Sequence, residues 1–209
     1  AVEMAAHVEL QSVHSQAVTS LSLERIEERY LLSAAADASV ALYDVRDRPD
    51  EPPRTPEVVQ PLASVHRGAH ADAHRYSVSS VEWFPHDTGL FVTGGADHRV
   101  KLWDTNELKV ACEFELPGRV AAVAMSPVST QHTLVAAAGA GSDVLLCDPV
   151  AGVATHQLSG HRAPAWAVCW SPRSEHQLVS GGADHSVRLW DIRRARAALR
   201  SFDVHDTSE

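Results

Sequence analysis

The chain has 209 residues, 44% hydrophobic and 22% charged, which allows a sizeable buried core and excludes a disordered acidic tail. Its 18 Lys and Arg against 27 Asp and Glu leave a formal charge of -9, which disfavours a charge-driven grip on nucleic acid. Cys112, Cys147 and Cys169 are too few and too scattered for a disulfide framework or a zinc ribbon and fit a reducing compartment; no run approaches the ~18 apolar residues of a membrane span.

In chain order, four segments share one pattern. Residues 14–44 read HSQAVTSLSLERIEERYLLSAAADASVALYD, and residues 74–104 read HRYSVSSVEWFPHDTGLFVTGGADHRVKLWD. A degenerate copy follows at 118–148, GRVAAVAMSPVSTQHTLVAAAGAGSDVLLCD, and a full one at 160–191, GHRAPAWAVCWSPRSEHQLVSGGADHSVRLWD. The closing aspartates, Asp44, Asp104, Asp148 and Asp191, are spaced by 60, 44 and 43 residues. The wide first spacing is one period plus an insertion at 48–73, where Pro49, Pro52, Pro53, Pro56 and Pro61 mark a surface loop; residues 58–65 are its best strand.

In the last copy, Trp166, Val168 and Trp170 alternate with Ala167 and Cys169 before Ser171 and Pro172 end the run. Leu178, Val179 and Ser180 follow, and Gly-Gly-Ala-Asp-His turns the chain into Val187, Arg188, Leu189 and Trp190. Alternation, β-branched residues and turn chemistry predict antiparallel strands. Four strands per ~43-residue unit, opened by Gly-His and closed by Trp-Asp, predict an all-β WD40 β-propeller of about four blades and the start of a fifth. The expected organisation is blade 1 at 1–47, the Pro-rich loop with an outer strand at 48–73, blade 2 at 74–106, degenerate blade 3 at 107–150, blade 4 at 151–193 and the opening of a fifth at 194–209. Such an arc would be part of a ring, from a partial or truncated chain, and prone to self-association through its uncovered strands.

Polar residues recur at fixed offsets of 30, 11, 7 and 1 before each closing aspartate. They are His14, Ser33, Asp37 and Tyr43 in the first copy, His74, Thr93, Asp97 and Trp103 in the second, and His161, Ser180, Asp184 and Trp190 in the fourth. The third has Gly118, Ala137, Gly141 and Cys147, so the whole set is absent together. Indole, hydroxyl, imidazole and carboxylate can form a chain in which every donor meets an acceptor. Losing one member leaves the rest buried and unpaired, which explains loss as a set. A hydrolase triad would be needed once; three copies at one offset, with no Gly-x-Ser-x-Gly elbow, argue for structure and against catalysis.

Other candidates are weaker. His66, His70 and His74 have a helical metal-ligand spacing, but they follow a Pro-rich loop and His74 belongs to the polar set. The cysteines read as small core residues, with Cys147 in place of the blade tryptophan. Arg193, Arg194, Arg196 and Arg200 form a basic run suited to a solvated edge or an acidic partner. His98, Arg99, His185 and Ser186 sit at turn tips where propellers meet partners.

The strings HRYSV, FPHDTG, KLWDTN, MSPVST, LCD, GHR, WSPR and RLWDIRRA, in this order, resemble the Cockayne syndrome group A family of WD-repeat proteins. The resemblance implies a seven-bladed propeller, of which this chain holds part. It also implies a nuclear, non-catalytic substrate receptor of a cullin-RING ubiquitin ligase in transcription-coupled nucleotide excision repair. The implied partners are the ligase's damage-binding adaptor subunit, stalled RNA polymerase II and repair factors, with no cofactor, metal, membrane or direct nucleic-acid contact. Adaptor-docking motifs of the form Trp-Asp-x-Arg are matched by Trp190, Asp191 and Arg193. The first copy offers Asp44 and Arg46 but has Tyr43 at the aromatic position. The blander reading is that Asp191 and Arg193 close the blade turn. The alternative to the ligase role is a WD scaffold of another complex.

Overall fold

Short strands that alternate apolar and polar residues, joined by tight turns, account for almost all regular structure in the computed structural model, which describes residues 8–45, 57–194 and 197–202. The strands are β1 (Val8–Leu10), β2 (Val18–Leu23), β3 (Tyr30–Ala35), β4 (Val40–Asp44), β5 (Glu57–Val59) and β6 (Pro61–Val65). They continue as β7 (Val78–Trp83), β8 (Leu90–Gly95), β9 (Arg99–Asp104), β10 (Lys109–Glu115), β11 (Val120–Met125) and β12 (Val135–Gly139). The last are β13 (Val144–Asp148), β14 (Val153–Leu158), β15 (Ala165–Trp170), β16 (Gln177–Gly182), β17 (Val187–Asp191) and β18 (Arg200–Phe202), with one 3-10 turn at Ile192–Arg194.

Among the described residues these form four antiparallel four-stranded sheets: β2-β3-β4-β6, β7-β8-β9-β10, β11-β12-β13-β14 and β15-β16-β17-β18. β1 and β5 add a two-stranded parallel ribbon. The sheets pack face to face in chain order. Leu32 and Val40 meet Val78, Trp83 and Phe91 between the first two sheets; Val92 and Leu102 meet Val123 and Met125 between the next two; Leu146 and Ala136 meet Ala165 and Trp170 between the last two. This is a partial WD40 β-propeller, an arc of blades stacked about a common core. No helix among the described residues is long and apolar enough to cross a membrane.

The sequence repeat and the blade are offset by one strand. β10 and β14 each complete the sheet of the preceding copy, and β18, in the span expected to open a fifth unit, hydrogen-bonds to β17 as the outer strand of the fourth sheet. A repeat therefore closes its predecessor's sheet before building its own. The insertion does the same for the first sheet: β6 lies within the expected 58–65 and pairs with β4. The prolines at 49, 52, 53 and 56 lie outside the described residues.

Each first strand carries a β-bulge at one equivalent point, after Val18, Val78, Val120 and Ala165. A bulge re-aims one side chain. Here it turns a hydroxyl toward the next blade: Thr19 Oγ1 lies 3.0 Å from Ala34 O in its own sheet and 2.5 Å from Val78 O in the neighbour. Ser79 Oγ repeats this with Gly94 O at 2.9 Å and Val120 O at 2.6 Å. Indoles add to the link, Trp83 Nε1 donating to Ser22 O and Trp170 Nε1 to Ala124 O, each at 3.0 Å.

The cysteines are not uniformly core. Cys147 is fully buried, but Cys112 is half-buried and Cys169 is exposed, because the alternation of β15 points Cys169 away from the third sheet. Ser186 lies in the β16–β17 turn as expected but not at its surface: it is 3% exposed and donates to Asp184 Oδ1 at 2.8 Å.

Candidate functional site

The recurrent polar residues converge where the loop entering each blade meets its central strands. In the second blade, Trp103 Nε1 donates to Thr93 Oγ1 at 2.8 Å, Thr93 Oγ1 lies 2.7 Å from His74 Nε2, and His74 Nδ1 lies 2.9 Å from Asp97 Oδ1. In the fourth, Trp190, Ser180, His161 and Asp184 form the same chain at 2.8, 2.7 and 2.9 Å. A carboxylate accepts only, so it takes the Nδ1 proton; Nε2 then accepts from the hydroxyl, whose oxygen accepts the indole N–H. Asp184 also accepts from Arg162 N at 2.9 Å, tying the entry loop to the turn.

Burial works to raise the Asp184 carboxyl, but hydrogen bonds from Arg162 N, His161 and Ser186 outweigh it and hold the group well below its ordinary value. Asp97 is lowered in the same way, burial being outweighed by His74. Chemically, the arrangement positions strands. Ser180 and Thr93 are buried, and each hydroxyl oxygen is occupied by an indole, which leaves it no path to a substrate carbonyl.

The first blade departs from this chain at two points. His14 Nε2 is 2.6 Å from Ser33 Oγ, but Nδ1 meets Ser39 Oγ at 2.5 Å and reaches Asp37 only through that serine. The cause is a methyl group. Gly95 and Gly182 stand two residues before their aspartates, and a Cβ on either would lie 2.6 Å from the histidine Nδ1; Ala35 occupies the equivalent place and keeps the ring away. Tyr43 leaves the network altogether, its hydroxyl donating to Gln11 O at 3.0 Å.

In the third blade the missing side chains leave space. A cleft of about 140 Å³ is lined by Gly118, Ala137 and Gly141, together with Leu116, Arg119 and Leu145. Cys147 replaces the indole as a fully buried thiol, pushed up to about 12 by burial, with Cys112 adding to the shift. Such a thiol is a small apolar group and no nucleophile.

The closing aspartates differ in their partners. Asp191 is gripped by Arg193, Nε to Oδ1 at 2.9 Å and Nη2 to Oδ2 at 2.6 Å, and this guanidinium holds its carboxyl down at about 2. The Arg193 side chain remains 63% exposed while that of Asp191 is 7% exposed. Asp44 is gripped by Arg29, with Nη2 2.8 Å from Oδ2, a partner that no spacing rule suggested because it lies on the β2–β3 connection. Arg46, the other docking candidate, lies outside the described residues. Among the described residues, Asp104 and Asp148 accept only from backbone N–H groups of their own turns.

The three histidines of the insertion do not assemble. His66 Nε2 bonds Ser64 Oγ at 2.9 Å, His70 Nδ1 accepts from Asp72 N at 3.2 Å, and His74 sits in its blade network. Among the described residues, no group of three His, Cys, Asp or Glu could hold a metal ion.

These blades and their networks define a WD-repeat propeller segment. The family described as WD domain, G-beta repeat matches residues 67–104 and 152–191, the spans of the second and fourth copies. The chain is 42% identical over 202 residues to WD repeat-containing protein ATCSA-1 of Arabidopsis thaliana, covering 94% of this chain and 43% of that protein. It is 28% identical over 211 residues to the ribosome biogenesis protein WDR12 homolog of Trichoplax adhaerens, covering 92% and 46%. To the WDR12 homolog of Drosophila erecta it is 32% identical over 135 residues, covering 63% and 31%.

The chain thus spans less than half the length of these relatives. The narrow resemblance to the Cockayne syndrome group A family is corrected accordingly: the family match is to WD repeats only, and the relatives include ribosome biogenesis proteins beside ATCSA-1. What these matches share with the chain is the WD repeat.

Proposed function

We propose that this scaffold is a non-catalytic substrate receptor of a nuclear cullin-RING ubiquitin ligase acting in transcription-coupled nucleotide excision repair. In this reading it binds the ligase's damage-binding adaptor subunit and is recruited with repair factors to stalled RNA polymerase II. The observation that carries the reading is the Arg193 guanidinium, preset in a fork on Asp191 and still 63% exposed. A fixed, exposed guanidinium loses little entropy on docking and keeps donors for a partner's carboxylates or carbonyls. The 42% identity to ATCSA-1 over 94% of the chain supports the same reading.

The test is co-precipitation of the purified adaptor by the chain. Arg193→Ala, which removes an exposed side chain, is expected to reduce recovery at least ~10-fold, as for a hot-spot arginine. Undiminished recovery removes the docking role. A second reading, a scaffold without ligase connection, is favoured by the matches to ribosome biogenesis proteins. Co-purification with pre-ribosomal particles in place of the adaptor would select it.

A further inference from the structure

Beside the third blade lies a larger cavity, of about 630 Å³, between the β7–β8 and β11–β12 connections. Its walls include Phe84, Met125 and Leu134, and its polar groups include Ser126 and Asp148. Among the described residues, the lining holds one carboxylate, Asp148, and no Lys or Arg. Ser126 is 4% exposed, and its Oγ has no hydrogen-bond partner among the described residues. A buried hydroxyl without a partner is unsatisfied, so this wall is incomplete as it stands.

The internal repeat shows what is missing. Asp148 is the counterpart of Asp191, and Val150, 86% exposed, stands two residues on, where the fourth blade has Arg193. In the fourth blade that arginine forks onto the aspartate, and in the first Arg29 does the same for Asp44. Asp148 has no ion pair among the described residues; its Oδ1 accepts from Val150 N at 2.9 Å and Ala151 N at 3.3 Å. Asp104 shares that pairing, but it does not line the cavity.

We infer that this cavity receives an arginine side chain from an exposed segment of a partner protein, with the guanidinium on Asp148 and the aliphatic stem along Phe84 and Met125. The guanidinium supplies in trans the fork that two sister blades hold in cis. Its planar face suits the aromatic wall that Phe84 supplies. The chain's charge of -9 favours approach of a basic segment. The site is separate from Arg193, so it stands whether or not the ligase reading does.

The probe is the blocked tripeptide acetyl-Gly-Arg-Gly-amide, titrated into the isotope-labelled 209-residue chain and followed through backbone amide resonances. Saturable shifts at Ser126, Thr133 and Val150 are expected. The isosteric citrulline peptide, and the arginine peptide on Asp148→Asn, should bind at least ~10-fold more weakly, because the charge pair is lost while the Asn oxygen still caps the turn. Val150→Arg places a guanidinium in cis and should abolish saturable binding, whereas Asp104→Asn should leave it unchanged. Equal affinity for the citrulline peptide, shifts confined to other surfaces, or full binding by Val150→Arg overturns the proposal.

Discussion

His161 joins the Trp190–Ser180 pair to Asp184. Its Nε2 takes the Ser180 hydroxyl and its Nδ1 serves Asp184, and the serine oxygen in turn serves Trp190. His161→Ala takes the acceptor from the Ser180 hydroxyl proton and one donor from Asp184, at roughly 1–3 kcal/mol for a group left unpaired. Gly118 stands at the same offset, where Ala137, Gly141 and Cys147 replace the network, and the nearest atom to a Cβ there is Ala140 Cβ at 3.0 Å. Chemical denaturation of the two alanine variants should therefore give a clearly lower midpoint for His161→Ala; equal midpoints would falsify the structural role. Glu82 carries a pH signature of the opposite sign to the network aspartates. Burial raises it from 4.5 to about 7, with its Oε2 accepting from Met125 N at 3.1 Å. An acid raised in the folded state costs nothing below its unfolded value and a growing amount as pH rises through the folded one. Stability should thus fall between pH 4.5 and about 7. Glu82→Gln keeps the acceptor without the charge, so it should flatten that slope and raise the melting temperature at pH 8; an unchanged slope would refute the assignment. The network aspartates, lowered in the fold, contribute stability above their unfolded value of 3.8 that is lost only in stronger acid.

Each strand pair that begins a blade owes its neighbour contact to the bulge and to the residue found there. Thr19 and Ser79 share one hydroxyl proton between a carbonyl of their own sheet and one of the next. Ala121 and Trp166 occupy the equivalent places in the third and fourth blades, and Trp166 instead packs under Arg119, whose guanidinium carbon lies 5.1 Å from the ring centroid. The hydroxyl bridge therefore links the first three sheets, whereas the third and fourth are tied by the Trp170 indole on Ala124 O. Ser79→Ala should lower the unfolding free energy by roughly 0.5–1.5 kcal/mol, the net worth of one such bond. Urea denaturation measures it, and no change beyond error would mean the bulge alone sets the contact.

Taken together, the four sheets expose unequal faces. Val78, Val81 and Trp83 on β7 are 0, 3 and 4% exposed beneath the first sheet, whereas the counterparts on β2, Val18, Leu21 and Leu23, are 48, 61 and 47% exposed. Ile26 adds to this apolar face at 54%. Contiguous exposed apolar strands drive association. Sedimentation velocity should show concentration-dependent self-association that Leu21→Glu reduces; a wild-type chain monomeric throughout would count against it.

Much of the fold was legible because its signals are local. The offsets of 30, 11, 7 and 1 residues are distances along strands and turns of constant length, so a period found in the letters reappears as a hydrogen-bonded chain in the second and fourth blades. Ala35 was equally visible as a letter, but its effect on His14 depends on a 2.6 Å approach that only the packed ring reveals. Arg29 gave no spacing signal toward Asp44, since a loop arginine can reach many carboxylates and the fold selects one. The one-strand offset between repeat and blade was hidden for a similar reason: β10, β14 and β18 look alike whichever sheet they join.

Periodicity, turn residues and the polar set come from interactions within one repeat, where chain connectivity fixes distances, and these specified WD blades and the degeneracy of the third copy directly from the amino acids. Which aspartate holds a guanidinium, which cysteine is exposed and where cavities open depend on contacts between segments far apart in the chain. Those contacts are settled by how whole sheets pack, a competition among many near-equal partners that the order of residues does not rank.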